Sequence, residues 1–330
     1  MTFEQDIIKD WMRRRRVRLP KGAQWEAIAD GNSLVLTLSM PTIALGDNFQ
    51  NDSPSAPFFL FCLAYWHEQL TGTETRCRVR LEGTPPRKGT ELLHWRRALI
   101  LFHDLQAMLG NRFQIDLPAG DTWPPRPILN RALKERGAEH SKASRSEHAL
   151  EVQLTKSAQL RSDFNARVAP LAAFSRQLPV GLFDGVDGVK PRAAAAWTPG
   201  RQSQVDLWGI SADGTVLHGF ELKTAGNRKV GILPEALYYA RLLHHVRLGK
   251  INGSGPAIDA VRRARRIVMW LIAPAFHPLV LHERRSPLAW LNEGMARDHV
   301  ELRILPFELC NEGIRHWLPE QAWPVTPFGP

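Results

Sequence analysis

Cysteine is scarce in this chain of 330 residues, occurring only as Cys62, Cys77 and Cys310. None is close to another in sequence, and no CxxC or Cys/His pair has zinc-ligand spacing. A disulfide framework and a structural zinc site are both argued against, and a reducing, cytoplasmic setting is expected. Long apolar runs are missing as well. The longest, Phe58 to Trp66, falls well short of the ~20 residues that span a bilayer, so no membrane partner is expected. Acidic Glu4 and Asp6 follow Met1 with no apolar stretch behind them, so no secretory leader is expected. The loops of nucleotide and acyl chemistry are absent too: there is no GxxxxGK[ST], no GxSxG and no GxGxxG. The chain is therefore not expected to hydrolyse ATP, and any motor would be a partner protein. No helix-turn-helix, zinc finger or internal repeat is legible.

What is present is basic charge. Lys and Arg total 43 against 33 acidic residues, a formal net charge of +10. That excess favours a polyanion, with nucleic acid ahead of an anionic membrane. Hydrophobic residues at 44% and charged residues at 23% place the chain among globular proteins. The length suggests two domains, or one with a large extension.

The first third reads as α/β. Strands are expected at 33–40 and 76–83, and helices at 57–71 and 89–109. Segment 118–146 carries Pro118, Pro124, Pro125 and Pro127, then a charged, Ser-containing stretch. A boundary is placed there, giving an accessory α/β domain over 1–140 and a second domain over 141–330. The second part reads as a helix over 145–167, an apolar strand over 178–183 and a Gly/Pro/Ala loop over 185–200. Strands at 204–210 and 215–223, a helix over 234–246, a strand over 266–276, a helix over 287–297 and a strand over 300–307 follow. The order α-β-β-β-α-β-α-β implies a mixed sheet with helices on its faces.

Within that order one hairpin carries chemistry. Asp213-Gly214 is a two-residue turn signal of the type I′ kind, which needs positive φ at both positions. Pairing across it places Asp206 opposite Glu221, with Cβ atoms roughly 4.5–5.5 Å apart. Lys223 points to the same face, two residues beyond Glu221. Val205, Leu207, Phe220 and Leu222 form the opposite, apolar face. Two opposed carboxylates in a half-buried hairpin repel each other, and a divalent cation removes that cost. So sparse a ligand set suits Mg²⁺, or Mn²⁺ in its place. A cation there would acidify a water and stabilise charge developing on a phosphodiester. Lys223 could orient that water, deprotonate it if its own pKa is lowered, or stabilise the phosphorane.

Asp206 followed by Glu221-Leu222-Lys223, in this element order, resembles the PD-(D/E)XK, or restriction-endonuclease-like, nuclease superfamily over about residues 145–307. The resemblance implies a nuclease that hydrolyses DNA with Mg²⁺. Asp206 and Glu221 would be ligands, the Leu222 backbone carbonyl a further one, and Lys223 the assisting cation. The family also uses a glutamate from the helix before the sheet. Glu147 and Glu151 in SEHALEVQL both fit and share one helical face. The plain alternatives are a capping box of Ser144 with Glu147 and a solvated charge at Glu151. Some members carry Gln-x-x-x-Tyr on the helix after the lysine. Here Glu235 and Tyr239 hold that spacing, with Glu in place of Gln, so a DNA-positioning role does not carry over cleanly. Val205 stands where the family name has Pro.

Two basic runs could grip phosphates: Arg13, Arg14, Arg15 and Arg16 in WMRRRRVR, and Arg262 and Arg263 in VRRARR. His103-Asp104 matches the dyad of HD phosphohydrolases without a convincing flanking His and Asp. The accessory part would bind substrate, form a homodimer or contact a partner. Genome defence, mobile-element processing and repair all suit such a nuclease. The alternatives are a non-catalytic nucleic-acid-binding protein and an interaction subunit of a larger defence or transposition complex.

Overall fold

A computed structural model describes residues 9–10, 12–13, 19–117, 123–131, 147–167, 170–190, 192–200, 203–224, 229–282, 284–310 and 313–318. The basic positions Arg14, Arg15 and Arg16, and most of the expected boundary segment, lie outside these residues.

In the first part, β1 (Gln24–Asp30) pairs antiparallel with β2 (Ser33–Pro41). Next come α1 (Asp52–Thr71), β3 (Thr75–Glu82), α2 (Gly89–Leu109) and β4 (Phe113–Asp116). The four strands form one sheet in the order β1-β2-β3-β4, its last two pairings parallel. A parallel pairing needs a crossover, and α1 and α2 supply them. Helix α1 is buried from Pro54 to His67 without a polar face, as expected of a helix enclosed on all sides.

What encloses α1 is the second part of the chain. Trp290 meets Phe61 and Tyr65 edge-on at 5.7 and 5.4 Å. Trp66 donates its indole N–H to the Leu279 carbonyl at 2.9 Å. One apolar cluster contains residues from β1 through Ile304 and so spans both parts. Trp290→Ala should therefore cost about 3–5 kcal/mol in guanidinium unfolding and shift the whole transition. An early, separate loss of one half would show that the halves are not welded here.

The short β5 (Pro127–Leu129) pairs with β7 (Leu182–Asp184) in a separate two-stranded ribbon. Between them lie α3 (Glu147–Lys156), α4 (Ala158–Arg167) and β6 (Leu171–Pro179). The expected single helix over 145–167 is two, broken at Ser157, whose hydroxyl accepts the Leu160 N–H at 3.2 Å as an N-cap does. The remaining elements are β8 (Gln204–Ser211), β9 (Val216–Leu222), α5 (Ile232–Arg247), α6 (Pro256–Arg263), β10 (Arg266–Ala273), α7 (Leu288–Met295), β11 (Val300–Cys310) and β12 (Gly313–Trp317).

The main sheet has six strands in the order β12-β11-β10-β9-β8-β6. Its central pairings, β9 with β10 and β10 with β11, are parallel, and the others are antiparallel. Helices α3 and α4 cover one face through Leu150, Leu154, Leu160 and Phe164. Helix α5 belongs to the cluster on the other. The architecture is thus a mixed α/β one with several sheets. Among the described residues, no helix is long and apolar enough to cross a membrane.

Candidate active site

The β8–β9 hairpin has the expected register, with Leu207 opposite Phe220 and Ile210 opposite Leu217. Its turn differs from expectation. Only Gly214 is left-handed, at φ 73°, and Asp213 is not, so the turn is not type I′. Side chains close it instead. The Asp213 carboxylate accepts from the Thr215 N–H at 3.0 Å and from the Ser211 and Thr215 hydroxyls at 2.5 and 2.7 Å. These bonds hold its pKa down at about 2. Ser211 in turn accepts the Val216 N–H at 2.9 Å. Asp competes for local backbone donors in this way, and Gly214 takes the conformation a Cβ disfavours.

At the open end of the hairpin the ladder gives way to a side chain. Beyond the Leu207–Phe220 pair, the Leu222 N–H is received by Asp206 Oδ2 at 2.7 Å. Across from Asp206, on β6, Gln177 is left-handed at φ 62°, between the regular pairs Arg176–Leu207 and Leu178–Val205. A non-glycine residue there is sterically costly. The apolar face is disturbed at the same place. Leu207, Phe220 and Leu222 pack against α3 and α4 as expected, but Val205 joins the opposite cluster.

Glu221 and Lys223 are 3% and 2% exposed. Lys223 Nζ lies 2.5 Å from Glu221 Oε1 and 3.2 Å from Glu235 Oε2. Glu235, on the first turn of α5, is also buried. Its carboxylate accepts from Tyr239 at 3.3 Å and from the Gln50 amide at 3.3 and 3.0 Å. Glu221 Oε2 is buried and has no hydrogen-bond partner among the described residues.

The electrostatics follow from burial. Desolvation pushes the half-buried Asp206 up to about 7, aided by Glu151 and opposed by Lys223 and the Leu222 N–H. Glu221 is raised well above the usual carboxylate range, by burial first and the Asp206 charge second. For Lys223, burial works to lower the pKa, but the charges of Glu221, Glu235, Asp206 and Glu147 outweigh it and the net shift is upward. Lys223 is thus held as an ammonium, and the route in which a lowered pKa lets it deprotonate a water lacks its premise. Glu235 is lowered because Lys223, Arg97 and Gln50 together outweigh its burial. A buried carboxylate that loses such partners faces a penalty of several kcal/mol.

The two helix glutamates fare differently. Glu151 is buried rather than solvated, and Arg176 grips its Oε2 at 2.9 and 3.0 Å. Burial raises its pKa, which Arg176 partly offsets. Glu147 is half-buried on the first turn of α3, close enough to act on Asp206 and Lys223. Tyr239 is 4% exposed and turned onto Glu235, so it presents no surface to a nucleic acid strand.

Arg262 and Arg263 end α6, immediately before the start of β10. Arg266 aligns with Val216, whereas Ile272 aligns with Leu222. These arginines therefore sit at the opposite end of the sheet from Glu221, about 20 Å away at roughly 3.3 Å per strand residue. Arg13 is exposed and paired with Asp10 at 2.7 Å. His103 is exposed, while Asp104 bonds His245 and Arg241 at 2.8 and 3.2 Å, a pairing unlike an HD dyad.

Gln50 is the member that residue spacing did not single out. Position 235 was legible as a departure from Gln-x-x-x-Tyr, but Gln50 had no motif to mark it.

Among the described residues, no group of three or more His, Cys, Asp or Glu side chains is arranged to hold a metal ion. Asp206 and Glu221 offer two carboxylates, and the unpartnered Glu221 Oε2 is a donor of the hard kind that Mg²⁺ or Mn²⁺ takes, water filling the remaining positions. The donor set fits such a cation in kind. No family model, curated protein or solved structure matches this chain.

Proposed function

We propose that the chain is a divalent-metal-dependent nuclease of the PD-(D/E)XK kind, with a restriction-endonuclease-like core, that hydrolyses DNA phosphodiester bonds. One observation carries the reading. Asp206 and Glu221 are held together against their own repulsion, and a buried oxygen of Glu221 has no partner among the described residues. Natural proteins rarely leave such an atom unsatisfied without a use for it. Asp206, Glu221 and the Leu222 carbonyl would hold Mg²⁺, or Mn²⁺ in its place. When bound, the cation supplies Lewis-acid charge and lowers the pKa of a water. Lys223, kept charged, steadies the negative charge that builds on the phosphate. Glu151, fixed by Arg176, and Glu147 shape the field at Asp206. Arg262 and Arg263 would grip backbone well away from the scissile bond, and Arg13 to Arg16 add sequence-blind contacts.

A second reading has its own support. Lys223 is already neutralised by Glu221 and Glu235, as in a structural ion-pair cluster. In that case the chain binds nucleic acid without cutting it, or serves as a subunit of a larger complex.

Incubation with supercoiled plasmid and with single-stranded DNA, each with Mg²⁺ or Mn²⁺, separates them. Cleavage by the wild-type chain that Lys223→Ala lacks supports the nuclease. Binding with no cleavage under any of these conditions supports the second reading and removes the first.

A further inference from the structure

The buried cluster does not end with the second part of the chain. Glu235 receives both of its Gln50 contacts from one amide nitrogen, at 3.3 and 3.0 Å, across 185 positions of sequence. The segment carrying Gln50 is fixed on several sides. Phe49 is fully buried, and its carbonyl accepts the Ser55 hydroxyl. Arg97 lies over the Phe49 ring at 4.3 Å and donates to Asn48 Oδ1 at 3.1 Å. The backbone of Phe49 and Gln50 runs so close to Gly231 that a Cβ there would collide with the Phe49 carbonyl. Gly231 is the residue preceding α5. Glycine at 231 is thus what lets the first part of the chain reach Glu235.

We propose that Gln50 is a positioning residue of the Asp206–Glu221–Lys223 cluster, acting through Glu235. This rests on the nuclease reading. Glu235 is a second partner of Lys223 beside Glu221, and among the described residues its other side-chain hydrogen bonds come from Gln50 and Tyr239. The Gln50 amide, which is uncharged, orients that carboxylate without competing with Lys223 for its charge. Without the amide, Glu235 can turn within its site, and the ammonium loses a fixed second partner. The first part of the chain is then a structural component of the site, beyond any role in substrate binding or dimerisation. A residue that holds a catalytic group through another typically changes rate by about 10–100-fold when removed.

The test compares the full-length wild type with Gln50→Leu and with the exchange Gln50→Glu/Glu235→Gln. Circular dichroism checks that each is folded. Two readouts are taken: steady-state cleavage of plasmid in Mg²⁺ over a range of plasmid concentrations, and acylation of Lys223 by acetic anhydride, followed by mass spectrometry. Gln50→Leu is expected to lower kcat about 10–100-fold with KM little changed. It should also lose the protection of Lys223 that burial is expected to give the wild type. The exchange keeps an amide–carboxylate pair but puts the amide against Lys223, so it should restore stability and not kcat. Full recovery of kcat by the exchange would reduce Gln50 to a packing role and overturn the proposal. So would wild-type rate and wild-type protection in Gln50→Leu. A wild type that never cleaves fails at the nuclease reading itself, and the positioning role falls with it.

Discussion

Lys223→Met is expected to destabilise the protein by about 3–5 kcal/mol, in addition to abolishing cleavage, because it strands two buried carboxylates. Lys223 is the cation within reach of both Glu221 and Glu235, at 2.5 and 3.2 Å. Methionine keeps the length and apolar stem but leaves those charges without their partner. The loss should shrink as pH falls. Glu221 is already raised far above its ordinary range, and once protonated it needs no cation. Adding Glu235→Gln should cost less in the Lys223→Met background than alone, since one of the stranded charges is then removed. Urea unfolding of the two single variants and the double variant measures all of this. Equal stability of Lys223→Met and wild type at pH 8 would mean that the cluster is not the closed ion-pair network seen here.

Asp206→Asn is expected to do the reverse to stability while removing activity. The folded carboxyl titrates at about 7, against an unfolded value of roughly 3.9. A carboxyl raised on folding contributes stability that is full below the unfolded value and lost as pH rises through the folded one. The wild type should therefore lose roughly 2–4 kcal/mol between about pH 4 and pH 8, the size of a shift of this order. Asparagine keeps an oxygen for the Leu222 N–H and carries no charge, so Asp206→Asn should lose much less over that range. Mg²⁺ should raise the melting temperature of the wild type at pH 8, by mass action on the ionised pair, and have little effect at pH 5. The variant should not respond at either pH. Identical pH profiles for the two proteins would place the Asp206 charge somewhere less costly than the half-buried position described above.

The hairpin was legible because the strand period is two and the Asp-Gly signal fixes register, so Asp206, Glu221 and Lys223 fell on one face by counting. The turn kept that register by another route. Asp213 closes it with side-chain bonds, and the backbone of Asp213 itself stays out of the left-handed region. Helix 89–109 was legible to the residue from its apolar spacing. The break at Ser157 was not, since a single capping hydroxyl leaves the periodicity of 145–167 nearly intact. The short strands β4, β5 and β12 were missed for want of alternation long enough to read, β1 was missed as well, and the strand expected at 178–183 falls across the end of β6 and the start of β7. The contribution of Gln50 could not be read at all. It depends on two segments 185 positions apart meeting where Gly231 leaves room, and no local pattern carries such information. The spread of Arg262 and Arg263 to the far end of the sheet was likewise invisible, because charge runs do not say which end of a strand they flank.

The central claim is that the carboxylates on this hairpin hold the cation that cleaves DNA. Single-turnover cleavage in Mg²⁺ at pH 8, measured for wild type and for Asp206→Asn at a temperature where both are folded, tests it most directly. The account predicts that the wild type cuts and that the variant, as stable or more so, is slower by about 10³-fold or more, the several kcal/mol that a correctly held cation supplies. A variant that cuts at the wild-type rate would contradict it.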